Sequence, residues 1–140
     1  MTSNRFAVAV HILSLLEIDK ESRVTSELIA GSVNTNAVVI RRIMGMLNKA
    51  GLVITSPGVA GATLARPVDQ ITLLDIYRAV QSEGHEELFA IHEKPNPDCP
   101  VGKNIQYSLE NAFTEAQLAM ENKLASMTLQ QVTTDIKTRI

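Results

Sequence analysis

The stretch SELIAGSVNTNAVVIRRIMGMLNKAGLVITSPGVAGATLAR, residues 26–66, decides the fold. Apolar side chains recur at helical spacing over residues 26–33 and again over 37–50, and three polar residues separate the two segments. Asn36 can cap the second segment, because an asparagine side chain accepts a hydrogen bond from a free backbone N–H group. Gly51 is typical of a residue that ends a helix. The spacing therefore predicts two helices joined by a short turn.

A β-hairpin is predicted directly after the second of these helices. Residues 52–55 and 62–66 are predicted to be its strands, and the segment 57–61 between them begins with the Pro-Gly pair typical of a turn. Further helices are predicted at residues 3–18, 72–81 and 103–126. Helix, helix, turn, helix and hairpin in this order are the parts of a winged helix-turn-helix.

The whole chain is expected to be mainly α-helical with a small β-hairpin wing. Residues 1–82 are predicted to form a winged helix-turn-helix DNA-binding domain, residues 83–102 a loop and sensor region, and residues 103–140 a long dimerisation helix with a tail. The length of 140 residues fits one compact domain plus an oligomerisation arm. The tail after residue 126 is expected to form a short helix that frays.

The helix predicted over residues 37–50 has one apolar and one polar side. Val39, Ile43 and Leu47 recur at the spacing of core positions. The other side is expected to point outward and to carry Asn36, Val38, Arg41 and Arg42. Arginine can bind guanine through two hydrogen bonds, asparagine can bind adenine, and a small apolar side chain can contact the methyl group of thymine. We therefore predict that this helix reads base edges in the major groove of DNA.

Further residues are predicted to bind DNA around this helix. Arg5, Lys49 and Arg66 are placed to contact phosphates, which fix the register of a protein on DNA without reading its sequence. Gly58 and Gly61 in the hairpin turn would let the backbone approach DNA closely, at the minor groove.

Charge is distributed unevenly along the chain, whose formal net charge is −2. Residues 1–66 carry seven basic and four acidic side chains, whereas residues 67–140 carry six basic and eleven acidic ones. Such an asymmetry suggests a basic module joined to an acidic one. Taken alone, however, paired arginines are more often a solvated face, and a Pro-Gly hairpin is more often a simple turn. The alternative function is therefore a winged-helix module that binds proteins and has lost DNA binding.

The composition argues against a catalytic, metal or membrane function. Cys99 is the single cysteine, so no intramolecular disulfide can form, and a free thiol fits a reducing compartment. His85 and His92 lie in the same region, but their spacing supports neither a metal site nor a nucleophile pair. The apolar stretch 6–16 is too short to span a bilayer. We expect a cytoplasmic protein that is not an enzyme and has no membrane partner.

Several segments together resemble the Rrf-two (Rrf2) family of bacterial transcription regulators, and within it the YwnA-like branch. They are RFAVAVHIL (5–13), NTN (34–36), VVIRR (38–42), AGLV (50–53), the wing ending in Gly61 and LA (64–65), LDIYRAV (74–80) and CPVG (99–102). The resemblance implies a homodimeric winged-helix regulator whose long carboxy-terminal helices pair and cross between subunits. It also implies contacts to DNA, and a wing at residues 58–61. The implied contacts are Arg5, Asn36, Val38, Arg41 and Arg42.

The chain departs from the pattern of this family at three places. Ala37 stands where a proline often follows the capping asparagine, and alanine is itself a good helix former. Gly61, Ala62 and Thr63 stand where the family's wing often has paired glycines and an aromatic residue. Members that bind an iron–sulfur cluster use three nearby cysteines, whereas this chain has only Cys99. We therefore expect no iron–sulfur cluster and no other cofactor.

The predicted long helix carries one apolar stripe, which is expected to pair with a second copy of the chain. The stripe residues are Ile105, Leu109, Ala112, Phe113, Ala116, Met120 and Leu124. Packing of the stripe within one chain is the alternative. A two-fold symmetric dimer would match a pseudo-palindromic operator in double-stranded DNA, and a dimer seated on a promoter would block polymerase. We therefore expect a homodimeric regulator of transcription that acts as a repressor.

Cys99 precedes Pro100 at the predicted start of the long helix. A thiol at a helix amino terminus can have a lowered pKa, which Lys103 would lower further and Asp98 would raise. One hypothesis is a redox switch, in which oxidation of Cys99 shifts the helix and changes the spacing of the two DNA-binding domains. The other is a small, partly buried cysteine with no sensing role. The effector stays unidentified from the sequence.

Overall fold

The computed structural model describes residues 4–56, 58–81, 89 and 94–140. The described residues form six α-helices, one 3-10 helix (Val68–Gln70) and a two-stranded antiparallel sheet. In chain order the elements are α1 (Arg5–Ile18), α2 (Ser26–Val33), α3 (Ala37–Lys49), β1 (Val53–Ser56), β2 (Val59–Leu64), α4 (Leu73–Ala79), α5 (Pro100–Ala125) and α6 (Leu129–Arg139). The prediction of a mainly α fold with a small hairpin wing is confirmed. None of the described helices is both long and apolar enough to cross a membrane.

The chain divides into two compact units. The first unit consists of the described residues up to 80 together with residues 124–140, and the second unit consists of those between 81 and 123. The first unit contains the helix-turn-helix, the wing, α4 and α6, while the second unit contains most of α5. The tail after α5, which was predicted to belong to a dimerisation arm, is therefore part of the first unit.

Helix α1 lies at the centre of the first unit and contacts α2, α3, α4, β2 and α6. Its Ala9, Ile12 and Leu13 have no exposed surface. In α3, the buried side chains are Ile40, Ile43 and Leu47, whereas the predicted core residue Val39 is half-buried. Ile43 and Leu47 are thus buried as predicted, and Ile40 takes the place of Val39, because the neighbouring helices set the rotation of α3.

The tail after residue 126 was expected to form a short helix that frays, but its helix α6 is packed against α1. Thr128 caps α6 in a capping box with Gln131, in which each side chain accepts a hydrogen bond from the other residue's backbone N–H group. The N–H group of Leu129 donates to the carbonyl oxygen of Ile71 over 2.8 Å. Leu129 is completely buried. These contacts make α6 an integral layer of the first unit.

Candidate nucleic-acid interface

Helix α3 is positioned by a cap at its start and by packing along one side. The Oδ1 atom of Asn36 accepts a hydrogen bond from the N–H group of Val39 over 3.0 Å, as the sequence predicted. Asn34 has a φ of 65°, a left-handed conformation that asparagine tolerates better than most residues. This residue turns the chain from α2 into the short connection to α3. Since the opposite side is buried, the direction of the outer face of α3 is fixed.

The outer face of α3 carries the four side chains that were predicted to read DNA. Asn36, Val38, Arg41 and Arg42 are all exposed. Val38 is 63% exposed, so its methyl groups are free to contact an apolar group outside the chain. Positions 38, 41 and 42 are three and four residues apart, which places them on one side of a helix. The face therefore combines hydrogen-bond donors with one apolar contact, and its binding to DNA stays a prediction.

Arg41 forms an ion pair that the sequence analysis missed. Its Nη2 atom lies 3.2 Å from the Oε1 atom of Glu27 on α2. Both side chains are exposed, so the pair stabilises the fold by no more than about 1 kcal/mol. No local pattern links residues 27 and 41, because only the turn between α2 and α3 brings them together. Glu27 would therefore compete with DNA for Arg41, if Arg41 binds DNA as predicted.

The carboxyl end of α3 is joined to the wing. Lys49 is exposed in the last turn of α3, where a positive charge also interacts favourably with the helix dipole. The Nδ2 atom of Asn48 donates to the Oγ1 atom of Thr55 in β1 over 3.1 Å. The N–H group of Leu52 donates to the carbonyl oxygen of Leu47 over 3.0 Å. These bonds hold the hairpin in a fixed position next to α3.

The wing is a short hairpin with an irregular register. Residues 53, 54 and 55 pair with residues 64, 63 and 62, but Ser56 pairs with Val59. The shift leaves two more residues on β2 than on β1, which is a β-bulge. Strand β2 therefore begins at Val59, three residues earlier than predicted, and Gly58 turns the chain with a φ of 73°.

Gly61 has a structural role in addition to its predicted close approach to DNA. Its φ is 99°, and a Cβ atom there would lie 3.2 Å from Cγ of Arg23 and 3.3 Å from the carbonyl oxygen of Val24. The bulge thus packs against the segment before α2, and glycine is needed for that contact. Arg23 is exposed beside the wing, which makes it a candidate phosphate contact that no sequence motif indicated.

Two of the arginines that were predicted to bind phosphates have partners within the first unit. The Nη1 atom of Arg66 donates to the carbonyl oxygen of Gln70 over 3.1 Å, and its Nη2 atom lies 3.7 Å from Oδ2 of Asp75. The Nη1 atom of Arg5 donates to the carbonyl oxygen of Val80 over 3.2 Å. Both arginines therefore help to hold the ends of α4, and their contacts to DNA stay predictions.

Cys99 lies in the second unit, directly before α5. It is exposed, whereas the sequence analysis weighed a partly buried position. The backbone N–H groups of Gly102 and Val101 lower the pKa of the Cys99 thiol, which agrees in direction with the expectation for a helix amino terminus. His85 and His92 lie outside the described residues. Over the described ranges, no three His, Cys, Asp or Glu side chains come together as metal ligands.

The apolar stripe of α5 is only partly covered by the described part of its own unit. No residue of α5 is fully buried. Ile105, Leu109, Phe113 and Met120 are half-buried, and Ala112 and Ala116 are exposed. The ring of Phe113 stacks on that of Phe89 with a centroid separation of 5.1 Å. Leu124 differs from the rest of the predicted stripe, because it belongs to the first unit and packs against its core.

Comparison with known proteins places the chain among transcription regulators. Residues 2–135 match the family described as Rrf2, iron-dependent transcriptional regulator. The chain is 52% identical over 132 residues to YwnA of Bacillus subtilis strain 168, a candidate HTH-type transcriptional regulator, with 94% of this chain and 96% of YwnA covered. The fold is similar to the crystal structure of a candidate DNA-binding protein, with 47% identity, a TM-score of 0.74 and coverage of 91% of this chain and 97% of that one. It is also similar to CymR, the global cysteine regulator of B. subtilis, with 23% identity, a TM-score of 0.67 and coverage of 96% of each chain. These findings confirm the resemblance that the sequence analysis stated: the chain belongs to the Rrf2 family of winged-helix transcription regulators and is not an enzyme.

Proposed function

We propose that this regulator binds a pseudo-palindromic operator as a homodimer and represses transcription there. The main support for the proposal is the outer face of α3. Asn36, Val38 and Arg42 are exposed on one side of this helix, and its other side is packed in the core. These are side chains that can bind adenine, the thymine methyl group and guanine. The wing, fixed to the end of α3, would lie over the neighbouring backbone. A dimer bound in this way within a promoter would block polymerase.

The partly exposed apolar stripe on α5 supports the homodimer. A second copy would bury the half-exposed side chains of residues 105–120, and two-fold symmetry would place the two α3 helices on half-sites about 34–36 Å apart. A Phe113→Glu variant should be monomeric in analytical ultracentrifugation and should bind the operator weakly. Gln106→Glu adds the same charge at an exposed position of α5 and should remain a dimer. A Phe113→Glu protein that dimerises normally would reject this interface.

The proposal is tested by fluorescence anisotropy of the protein on its own promoter DNA and on scrambled DNA, at two salt concentrations. We expect tighter binding to the promoter and weaker binding to both DNAs at higher salt, because phosphate contacts release counterions. Absence of binding to any DNA at low salt would instead favour the alternative function, a winged-helix module that binds proteins.

Variants of α3 locate the binding surface. If the guanidinium of Arg42 binds a base edge, Arg42→Ala should lower the affinity of the protein for the promoter by about 5- to 150-fold. The preference of the protein for promoter over scrambled DNA should fall by the same factor. Lys137→Ala removes one exposed positive charge from α6, outside the proposed interface, and should change the affinity little. Equal losses in the two variants would contradict direct readout by α3.

We further propose that the protein works without an iron–sulfur cluster, although the family description names iron. The residues do not fit such a group: clusters are held by sets of cysteine thiolates, and the chain has a single, exposed cysteine. Anaerobic reconstitution with iron and sulfide should therefore leave no bound iron after desalting, as measured by a colorimetric iron assay. Stoichiometric iron and sulfide retained by the protein would overturn this proposal.

A further inference from the structure

A groove in the first unit lies between α1, the end of α2 and α6. Its volume is about 520 Å³, which is in the range of small-molecule sites. Its walls are mainly apolar and include Val10, Leu15 and Ile18 from α1 and Val132 and Ile136 from α6. None of its described lining residues belongs to the outer face of α3 or to the wing. The groove is therefore separate from the proposed DNA interface.

The groove also has polar lining residues, and one of them has an unsatisfied hydroxyl group. Ser14 lines the groove and is 3% exposed, and its Oγ atom has no hydrogen-bond partner within the part of the chain that the structure describes. A buried hydroxyl without a partner destabilises the folded state, and most buried polar groups in native proteins have a hydrogen-bond partner. His11 lies one helical turn before Ser14 and lines the same groove, and its Nε2 atom is 2.9 Å from Oγ of Ser32. The groove thus combines mainly apolar walls with hydroxyl and imidazole groups that can form hydrogen bonds.

We propose that this groove binds a small neutral organic effector, with an apolar body and one hydroxyl or N–H group that pairs with Ser14 after a small rotation of the serine side chain. Neither Lys nor Arg is among the described lining residues, and Asp19 is present, so the groove does not favour an anion. The proposal rests on the proposed function in one respect, namely that binding changes the affinity for DNA.

The position of the groove explains how an effector would act on DNA binding. Ser32 belongs to α2, which packs against α3, and its bond to His11 is one of the contacts that join α2 to α1. A ligand beside His11 and Ser14 favours one arrangement of α2 on α1. A shift of α2 on α1 also moves α3, because α2 packs against α3. The ligand changes the affinity for the operator when it binds one arrangement of α2 on α1 more tightly than another.

The site is tested first without DNA, by titrating the ¹⁵N-labelled protein with phenol and with benzene, and following amide chemical shifts. Both probes should give saturable shifts at α1 and α6, and phenol should bind about fivefold more tightly, because its hydroxyl pairs with Ser14. Ser14→Ala should make the two affinities equal without lowering the melting temperature, because the hydroxyl it removes has no partner. Shifts that do not saturate would overturn the proposal, as would a preference for phenol that survives in Ser14→Ala.

A second pair of variants tests the location. Ala7 is exposed on the lining of the groove, and Ala7→Phe should fill the groove and abolish probe binding. Gln130→Phe adds a ring at an exposed position of α6 outside the groove and should bind phenol as the wild type does. If Ala7→Phe weakens self-association and leaves probe binding intact, a second copy of the chain occupies the groove and the proposal is wrong.

The link to DNA is tested last, by operator anisotropy with and without saturating phenol. We expect the affinity to change at least about fivefold in the wild type and to stay constant in Ala7→Phe. Unchanged affinity in the wild type would overturn the role as an effector site. Because probe binding is measured without DNA, a protein that binds phenol through Ser14 but binds no operator would support the site and reject the proposed function.

Discussion

At the scale of single residues, Glu27 bears on the proposed DNA-binding face of α3, since it holds Arg41 of that face in an ion pair. Glu27→Gln should release Arg41 and remove a negative charge beside the proposed interface. We expect operator affinity to rise about two- to fivefold, which corresponds to the free energy of an exposed ion pair. Fluorescence anisotropy at low salt measures this change.

A matched variant separates the release of Arg41 from the loss of charge alone. Glu21→Gln removes one exposed negative charge from the same unit, at a residue with no ion pair to α3. Its affinity should rise less than that of Glu27→Gln. An equal rise in both variants would mean that the ion pair has no specific effect.

Cys99 should behave as an acidic thiol in the folded protein. Its pKa is lowered by the N–H groups of Gly102 and Val101, so the reactive thiolate forms at a lower pH than in an unfolded chain. The rate of alkylation by iodoacetamide should therefore reach its half-maximum at a lower pH in the native protein than in urea. Coincident pH profiles would contradict the contact of the thiol with the N–H groups of Gly102 and Val101.

The redox hypothesis has its own test. If DNA binding by a Cys99→Ser protein still responds fully to oxidant, Cys99 is not a redox switch.

Much of what matters at the residue scale could not be predicted from the sequence. The cap at Asn36 was predictable, because it depends on residues three positions apart. The pair of Glu27 with Arg41 and the unpaired hydroxyl of Ser14 depend on how whole helices meet, and no local pattern carries that information. The pair of Arg66 with Asp75 could not be predicted for the same reason, since Asp75 comes from another element.

At the scale of elements, Asn36 has two candidate roles: it caps the start of α3, and it is predicted to bind a base. Two substitutions separate these roles. Asn36→Ala should lower the free energy of unfolding by about 1 kcal/mol, whereas Asn36→Ser should keep it nearly unchanged, because serine caps as well as asparagine. If Asn36 binds adenine as predicted, both variants should lose discrimination at that base. Urea denaturation and anisotropy with single-base operator variants measure the two effects. If Asn36→Ser keeps full discrimination, Asn36 is a cap only.

The wing depends on a glycine at one position. Gly61→Ala should lower the free energy of unfolding by about 1–3 kcal/mol, because alanine is strained at a φ of 99° and its Cβ would press on Arg23 and Val24. Gly45→Ala is the control, since a Cβ atom at that position in α3 meets nothing within 4 Å. It should raise the free energy of unfolding by about 1 kcal/mol, as alanine favours a helix. Similar destabilisation of both variants would refute the packing argument.

The limits of an element could be predicted where they depend on residues close in sequence, and not where they depend on residues far apart in sequence. The limits of α2 at Ser26 and Val33 agreed with the sequence, because Thr25 caps its start and Asn34 ends it locally. Strand β2 began earlier than predicted because its register depends on a bulge opposite β1. The burial of Ile40 in place of Val39 depends on the rotation of α3 against its neighbours.

For the whole molecule, the packing of α6 extends the core beyond the predicted domain boundary. Leu129→Ala should lower the free energy of unfolding by about 2–5 kcal/mol, since Leu129 is completely buried. Leu28→Ala is the control, because Leu28 is 45% exposed in the same unit. Urea denaturation at a fixed protein concentration measures both. A small effect of Leu129→Ala would show that α6 detaches without loss of the core.

The pairing of Leu129 with Ile71 also has a consequence for synthesis. The ribosome adds about 5–20 residues per second, so the two partners are made roughly 3–12 seconds apart. During that interval the apolar surface that α6 covers faces water or a chaperone. The newly made chain therefore completes the fold of its first unit only when the last helix has left the ribosome, and an interrupted chain would carry all of α3 and the wing on an unfinished core.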